Sequence, residues 1–82
     1  MTKQEIAKAL LDKGFVFLKK GDFDILEFIH ENGLSAAAIG IDHVTLFKTL
    51  GKCVEPLSYK DYEEFSTDWV DQTLGSMDIR YS

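Results

Sequence analysis

Uncharged apolar runs in this chain are short, and that limits what it can build. The longest are Phe15–Leu18 and Ala36–Ile41. Neither approaches the roughly 20 residues that a membrane-spanning helix needs. The N-terminal segment Met1–Lys8 has no apolar signal core. With 82 residues there is room for one domain, residues 1–82, and one modest core. Apolar content of 45% with 12% aromatic suits a folded globule rather than a disordered chain. The single cysteine, Cys53, rules out an internal disulfide framework and suits a reducing, cytoplasmic setting.

Punctuation between the runs predicts an α+β domain. Thr2 and Glu5 form a capping box, Ile6, Ala7, Leu10 and Leu11 share a helical face, and Gly14 closes the helix. Phe15–Leu18 reads as a strand buried on both faces. A second helix is expected from Asp24, with Glu27 completing its box and Phe23 stapling onto Phe28. Asn32-Gly33-Leu34 would end it in a Schellman stop, with His30 complementing the dipole. Ala36–Ile41 could follow as a strand, making a βαβ-like unit with Phe15–Leu18. Val44–Thr49 and Cys53–Leu57 read as two strands around a turn at Leu50–Lys52, with Pro56 tolerated at an edge. A long acidic helix is expected after Ser58, reaching Leu74 before Gly75, with residues 76–82 as a tail that adds a short strand or frays. The expected order is thus helix, strand, helix, two or three strands, and a long amphipathic C-terminal helix laid across the sheet.

Charge is distributed unevenly over these elements. Residues 1–54 hold seven acids and seven lysines. Residues 55–82 hold seven acids against Lys60 and Arg80, so the whole net charge of -5 belongs to the last third. An acidic, aromatic-rich end points to a basic macromolecular partner and away from bare phosphate or anionic membrane. On a helix, Asp61, Glu64, Asp68 and Asp71 would form a repelling stripe beside Phe65 and Trp69. Such a row serves as a solvated face, docks on a basic protein surface, or imitates a phosphate backbone in a nucleic-acid-binding site.

Catalytic patterns do not stand out. His30, His43 and Cys53 lack zinc-site spacing, and a Cys53–His43 nucleophilic pair is only arithmetically available. No Gly-rich phosphate loop or serine elbow occurs. No enzyme, metal or cofactor is expected on these grounds.

Residues 36–50 resemble the core of helix-turn-helix DNA-binding segments. Ala36, Gly40, Ile39 and Ile41 match the small residue, the turn glycine and its apolar flanks. Asp42 matches the following cap, Thr45-Leu46-Phe47-Lys48 the run after it, and Leu50 the closing core contact. The resemblance implies a recognition helix at Asp42–Leu50, with His43, Val44 and Lys48 facing a groove, in a mostly α protein binding DNA as a homodimer. Gly33 lies only seven residues before Gly40, which shortens the middle helix, and the acidic balance opposes phosphate contact. The leading expectation is a non-catalytic protein of interaction or inhibitor type that binds a basic surface through Asp61, Glu64, Asp68 and Asp71.

Overall fold

Thr2 caps the first helix as its context predicts. The computed structural model describes the backbone of residues 1–50 and 53–81, and the side chains of residues 1–49 and 53–76. Helix α1 spans Lys3–Asp12; Thr2 Oγ1 accepts from the Glu5 amide and Glu5 reaches back to the Thr2 amide. That backbone hydrogen bond, ahead of the hydroxyl contact, holds the Glu5 carboxyl below the usual carboxylate range. Ile6 and Leu10 are fully buried. Gly14 leaves the helix at φ 93°, and a Cβ there would lie 2.9 Å from His30 Nε2. Glycine is required on both counts.

Strand β1, Phe15–Lys20, follows at once. A single 3-10 turn at Asp22–Asp24 carries two non-glycine residues at positive φ, Phe23 at 58° and Asp24 at 60°. The chain then returns as β2, Leu26–His30. Three more strands complete the sheet: β3 Ser35–Ile39, β4 His43–Leu50 and β5 Cys53–Asp61. The order is β1-β2-β3-β4-β5 with every pair antiparallel. Helix α2, Thr67–Tyr81, closes the fold.

This arrangement overturns the expected order of helix, strand, helix, a few strands and a long helix, and equally the mostly α alternative. The Asp24/Glu27 box is not used. An isolated helix of seven or eight residues is marginal in water. As a strand, the same segment pairs on both sides and buries Phe28 at 2% exposure. Asn32-Gly33-Leu34 therefore turns a hairpin: Gly33 sits at φ 74° and its amide donates to the His30 carbonyl. Asn32 Oδ1 accepts from the Leu34 amide at 2.8 Å. The expected βαβ unit is an antiparallel meander instead.

Residues 36–50 are two strands around a tight turn at Gly40–Asp42, not a helix-turn-helix. The pairing of Val44–Thr49 with the Cys53–Leu57 region agrees with the expected hairpin, whose turn falls outside the described residues at Gly51 and Lys52. Ser58 starts no helix, because β5 continues beside β4 to Asp61. The working cap is Ser66, whose Oγ accepts from the Trp69 amide at 3.1 Å. Gly75 does not stop α2, and the expected tail continues it to Tyr81.

Register assigns the two faces. One row across the sheet is Phe17–Phe28–Ala37–Leu46–Ser58, and another is Lys20–Leu26–Ile39–Val44–Lys60. These rows face both helices. Phe15, Phe28, Ala37, Ile39, Val44 and Leu46 share a core with Ile6 and Leu10 of α1 and with Phe65, Trp69 and Val70. Trp69 Nε1 donates to Ser58 Oγ at 3.0 Å, so the indole is packed and its polar atom satisfied. Tyr62 O–H donates to the Gly40 carbonyl, tying the β5–α2 connection to the β3–β4 turn. The result is one small domain with a Cα radius of gyration of 11.8 Å.

Candidate interaction surface

Neither of the described helices covers the opposite face of the sheet. Its central rows are Val16–Ile29–Ala36–Phe47–Pro56 and Lys19–Glu27–Ala38–Thr45–Tyr59. Apolar side chains on and around these rows are open to solvent, including Val16 at 52%, Leu18 at 58%, Val54 at 58% and Tyr59 at 71%. Exposed apolar residues scattered singly are ordinary; a contiguous patch marks an interaction site.

Small side chains at the centre shape this face. Ala36 and Ala38 leave a trough along β3, walled by Ile29 on the β2 side and Phe47 on the β4 side. Two hollows share Ile25, Ala38 and Phe47 in their linings. One, of about 340 Å³, extends toward Leu18 and Val54. The other, of about 460 Å³, extends toward Phe23, Ile41 and His43.

The second hollow ends at an acidic corner. Asp42 in the β3–β4 turn, Asp61 at the end of β5 and Glu64 in the next turn all border one surface depression, with His43, Tyr59 and a single lysine, Lys60. Asp42 Oδ1 lies 2.7 Å from His43 Nδ1, and the His43 ring meets Tyr59 edge-on at 5.8 Å. Asp61 Oδ1 accepts from the Glu64 amide at 2.8 Å, fixing the corner. Burial, with the Asp42 carboxylate as the smaller cause, raises the Tyr62 phenol above its ordinary value.

The acidic residues singled out from the sequence do not form a helical row. Asp61 and Glu64 belong to the corner, whereas Asp68 and Asp71 are on α2. Asp68 sits in the first turn of α2, where a negative charge is favoured. Asp71 is paired with Lys13 Nζ at 3.0 Å, so this chain supplies part of its counter-charge. That pair is half-exposed and contributes at most about 1 kcal/mol. His43, Val44 and Lys48 share no groove-facing surface: His43 is on the open face, Val44 is buried in the core, and Lys48 pairs with Ser35 and Glu55 on the covered side.

His43 and Cys53 stand at opposite ends of the β4–β5 hairpin, roughly 23 Å apart along the strands, which removes the nucleophilic pairing. Among the described residues no three His, Cys, Asp or Glu side chains gather as a metal-holding group. Every buried side-chain nitrogen or oxygen among them has a hydrogen-bond partner. None of the described helices is long and apolar enough to cross a membrane. Compared with models of protein families, with curated proteins and with solved structures, the chain matches none.

The open face was legible only in hindsight. Its signal is apolar residues at consecutive positions in β1, β2 and β3, such as Phe28-Ile29 and Ala36-Ala37-Ala38. In a strand, consecutive positions point to opposite faces. Such runs therefore give the sheet two apolar faces, and the chain has helices for one.

Proposed function

We propose that this chain is a non-catalytic interaction protein that seats a protein partner on the open face of its sheet. Apolar side chains of the partner lie along the Ala36–Ala38 trough, and basic residues meet the carboxylates of Asp42, Asp61 and Glu64. The observation that carries this reading is the contiguous exposed apolar surface on the one face that both helices leave bare. An apolar trough supplies affinity through area removed from water, and the charged end supplies orientation. The basic-partner chemistry expected from the sequence is kept, but its place moves from a helical stripe to the corner. The regular spacing needed to imitate a phosphate backbone is not met by Asp61, Glu64, Asp68 and Asp71.

Affinity capture tests this reading. Tagged wild-type protein and a tagged Ala36→Lys/Ala38→Lys variant are exposed to source-cell lysate supplemented with untagged chain. The expected result is partner retention by the wild type that the variant loses and that moderate salt weakens. Equal retention by both proteins, or none by either, removes the open face from consideration.

A further inference from the structure

The bare sheet face holds both apolar hollows described above. The two sheet edges are defended. β1 ends in Lys19 and Lys20 and its pairing with β2 shifts register between Phe17 and Lys19. β5 carries Pro56, and its pairing with β4 shifts between Leu46 and Phe47. Lysines, proline and bulges are the devices that stop strand addition at an edge. A partner is therefore turned away from the edges and left the face.

We infer that the occupant of the open face is a second copy of this chain, packed sheet to sheet about a two-fold axis that runs along the strands over β3. The inference rests on the docking surface proposed above and names its partner. Three observations support it. The first is register. That axis lays β1 over β5 and β2 over β4 of the second copy, and β3 over itself. Ala36 and Ala38 then meet their own counterparts, where small side chains let two sheets approach. Ile29 lies over Phe47 and Val16 over Pro56, so bulky apolar residues of the two copies meet on both sides of the paired alanines. Aligned sheets pack in this way about 10 Å apart with a twist near 30°.

The second observation is charge. Lys19 shares a row with Tyr59, one step from Asp61. The axis along the strands keeps that end of the sheet together and exchanges its two sides. It brings Lys19 of each copy onto the Tyr59–Asp61 corner of the other, beside Asp42 and Glu64. The contact forms twice by symmetry. An axis across the strands would set Lys19 over the apolar end of β1 and bring no cation of the second copy to the acidic corner, where Lys60 alone faces three carboxylates. The partner chemistry expected for this face, apolar with basic residues at one end, is thus the chemistry of β1 itself: Val16, Leu18 and Lys19.

The third observation is area. Val16, Leu18, Ile29, Val54 and Tyr59 are left between 39% and 71% exposed on and around this face, apolar surface that a contact between copies removes from water. A C2 contact of this type is isologous, so one self-complementary patch suffices.

Sedimentation equilibrium of the full chain, from low micromolar to about 100 micromolar, tests the inference. The expected result is a species of twice the 9.3 kDa chain mass. Ala36→Lys/Ala38→Lys places like charges against themselves on the axis and should give monomers with an unchanged far-UV spectrum. Lys19→Glu reverses the charge of the contact; because Lys19 faces Glu27 across the β1–β2 ladder, an unchanged far-UV spectrum is its folding control. This substitution should weaken the dimer about tenfold, and adding Asp42→Lys should restore it. A wild type that stays monomeric throughout overturns the second copy as occupant. In that case the docking surface itself still stands or falls on the capture experiment. A dimer that persists unchanged in both the double-lysine and Lys19→Glu variants places the interface elsewhere and likewise overturns the second copy as occupant of this face.

Discussion

The covered and bare faces of this sheet are built from the same strands, yet they are finished differently. On the covered face Phe28, Ala37, Ile39, Val44 and Leu46 are all at most 2% exposed beneath α1 and the Phe65–Val70 segment. On the bare face Val16, Leu18 and Val54 are all more than half exposed. Residue type does not distinguish the two, since both are rich in aliphatic and aromatic side chains. What differs is whether this chain has anything left to lay over them. An apolar sheet face without a cover within its own chain is a statement about a partner.

Substitutions can break or sharpen that contrast. The largest expected effect is on the covered side. Trp69→Ala removes an indole that packs edge-on against Phe65 with ring centroids 5.9 Å apart and hydrogen-bonds Ser58. A loss of about 3–5 kcal/mol is expected in denaturant titration, a large share of what a domain this small has. Gly14→Ala comes next, at about 1–3 kcal/mol, because the new Cβ meets His30 and φ is positive. The same titration reads it, and a neutral result would mean that the α1–β1 link readily adjusts. On the bare side, Val16→Thr and Val54→Thr should each shift monomer stability by no more than about 0.5 kcal/mol, measured at concentrations too low for association. A cost there near that of Trp69→Ala would erase the distinction between the faces.

The smallest effect concerns pH. Glu5 titrates lower in the folded chain than unfolded, so its contribution is present above the unfolded carboxylate value. It is lost as pH falls through the folded one. Glu5→Gln should flatten that acid limb of the stability curve without changing the rest. A wild-type limb unaltered by the substitution would show that the capping carboxylate carries no pH dependence.

How much of this was readable in the sequence depended on whether a signal was local. Thr2 and Glu5 form their box because a helix terminus is decided within four residues, and α1 continues from it with buried Ile6 and Leu10. Asp24 and Glu27 offer the same pattern and are overruled, because the segment behind them finds pairing partners in both β1 and β3. The competition is between a short helix and two hydrogen-bonded ladders, and no local pattern records it. The β4–β5 hairpin is visible in strand propensity, but its length is not, because β5 runs on to Asp61 through residues that also suit a capped acidic helix. The candidate surface was hidden for the same reason. Until β2 is known to be a strand, Ile29 and Ala36 cannot be seen to share a face.

The meander order itself has a kinetic consequence. Each strand binds the one made just before it, so the sheet can assemble from ribosome-proximal hairpins without waiting for distant sequence. Topologies dominated by near-neighbour pairing reach their folding barrier quickly. The two helices cannot dock until that sheet exists, since α1 spans β1 and β3 while α2 rests on β4. For that interval both sides of the nascent sheet are equally bare, and only the later arrival of the helices decides which one stays available for company.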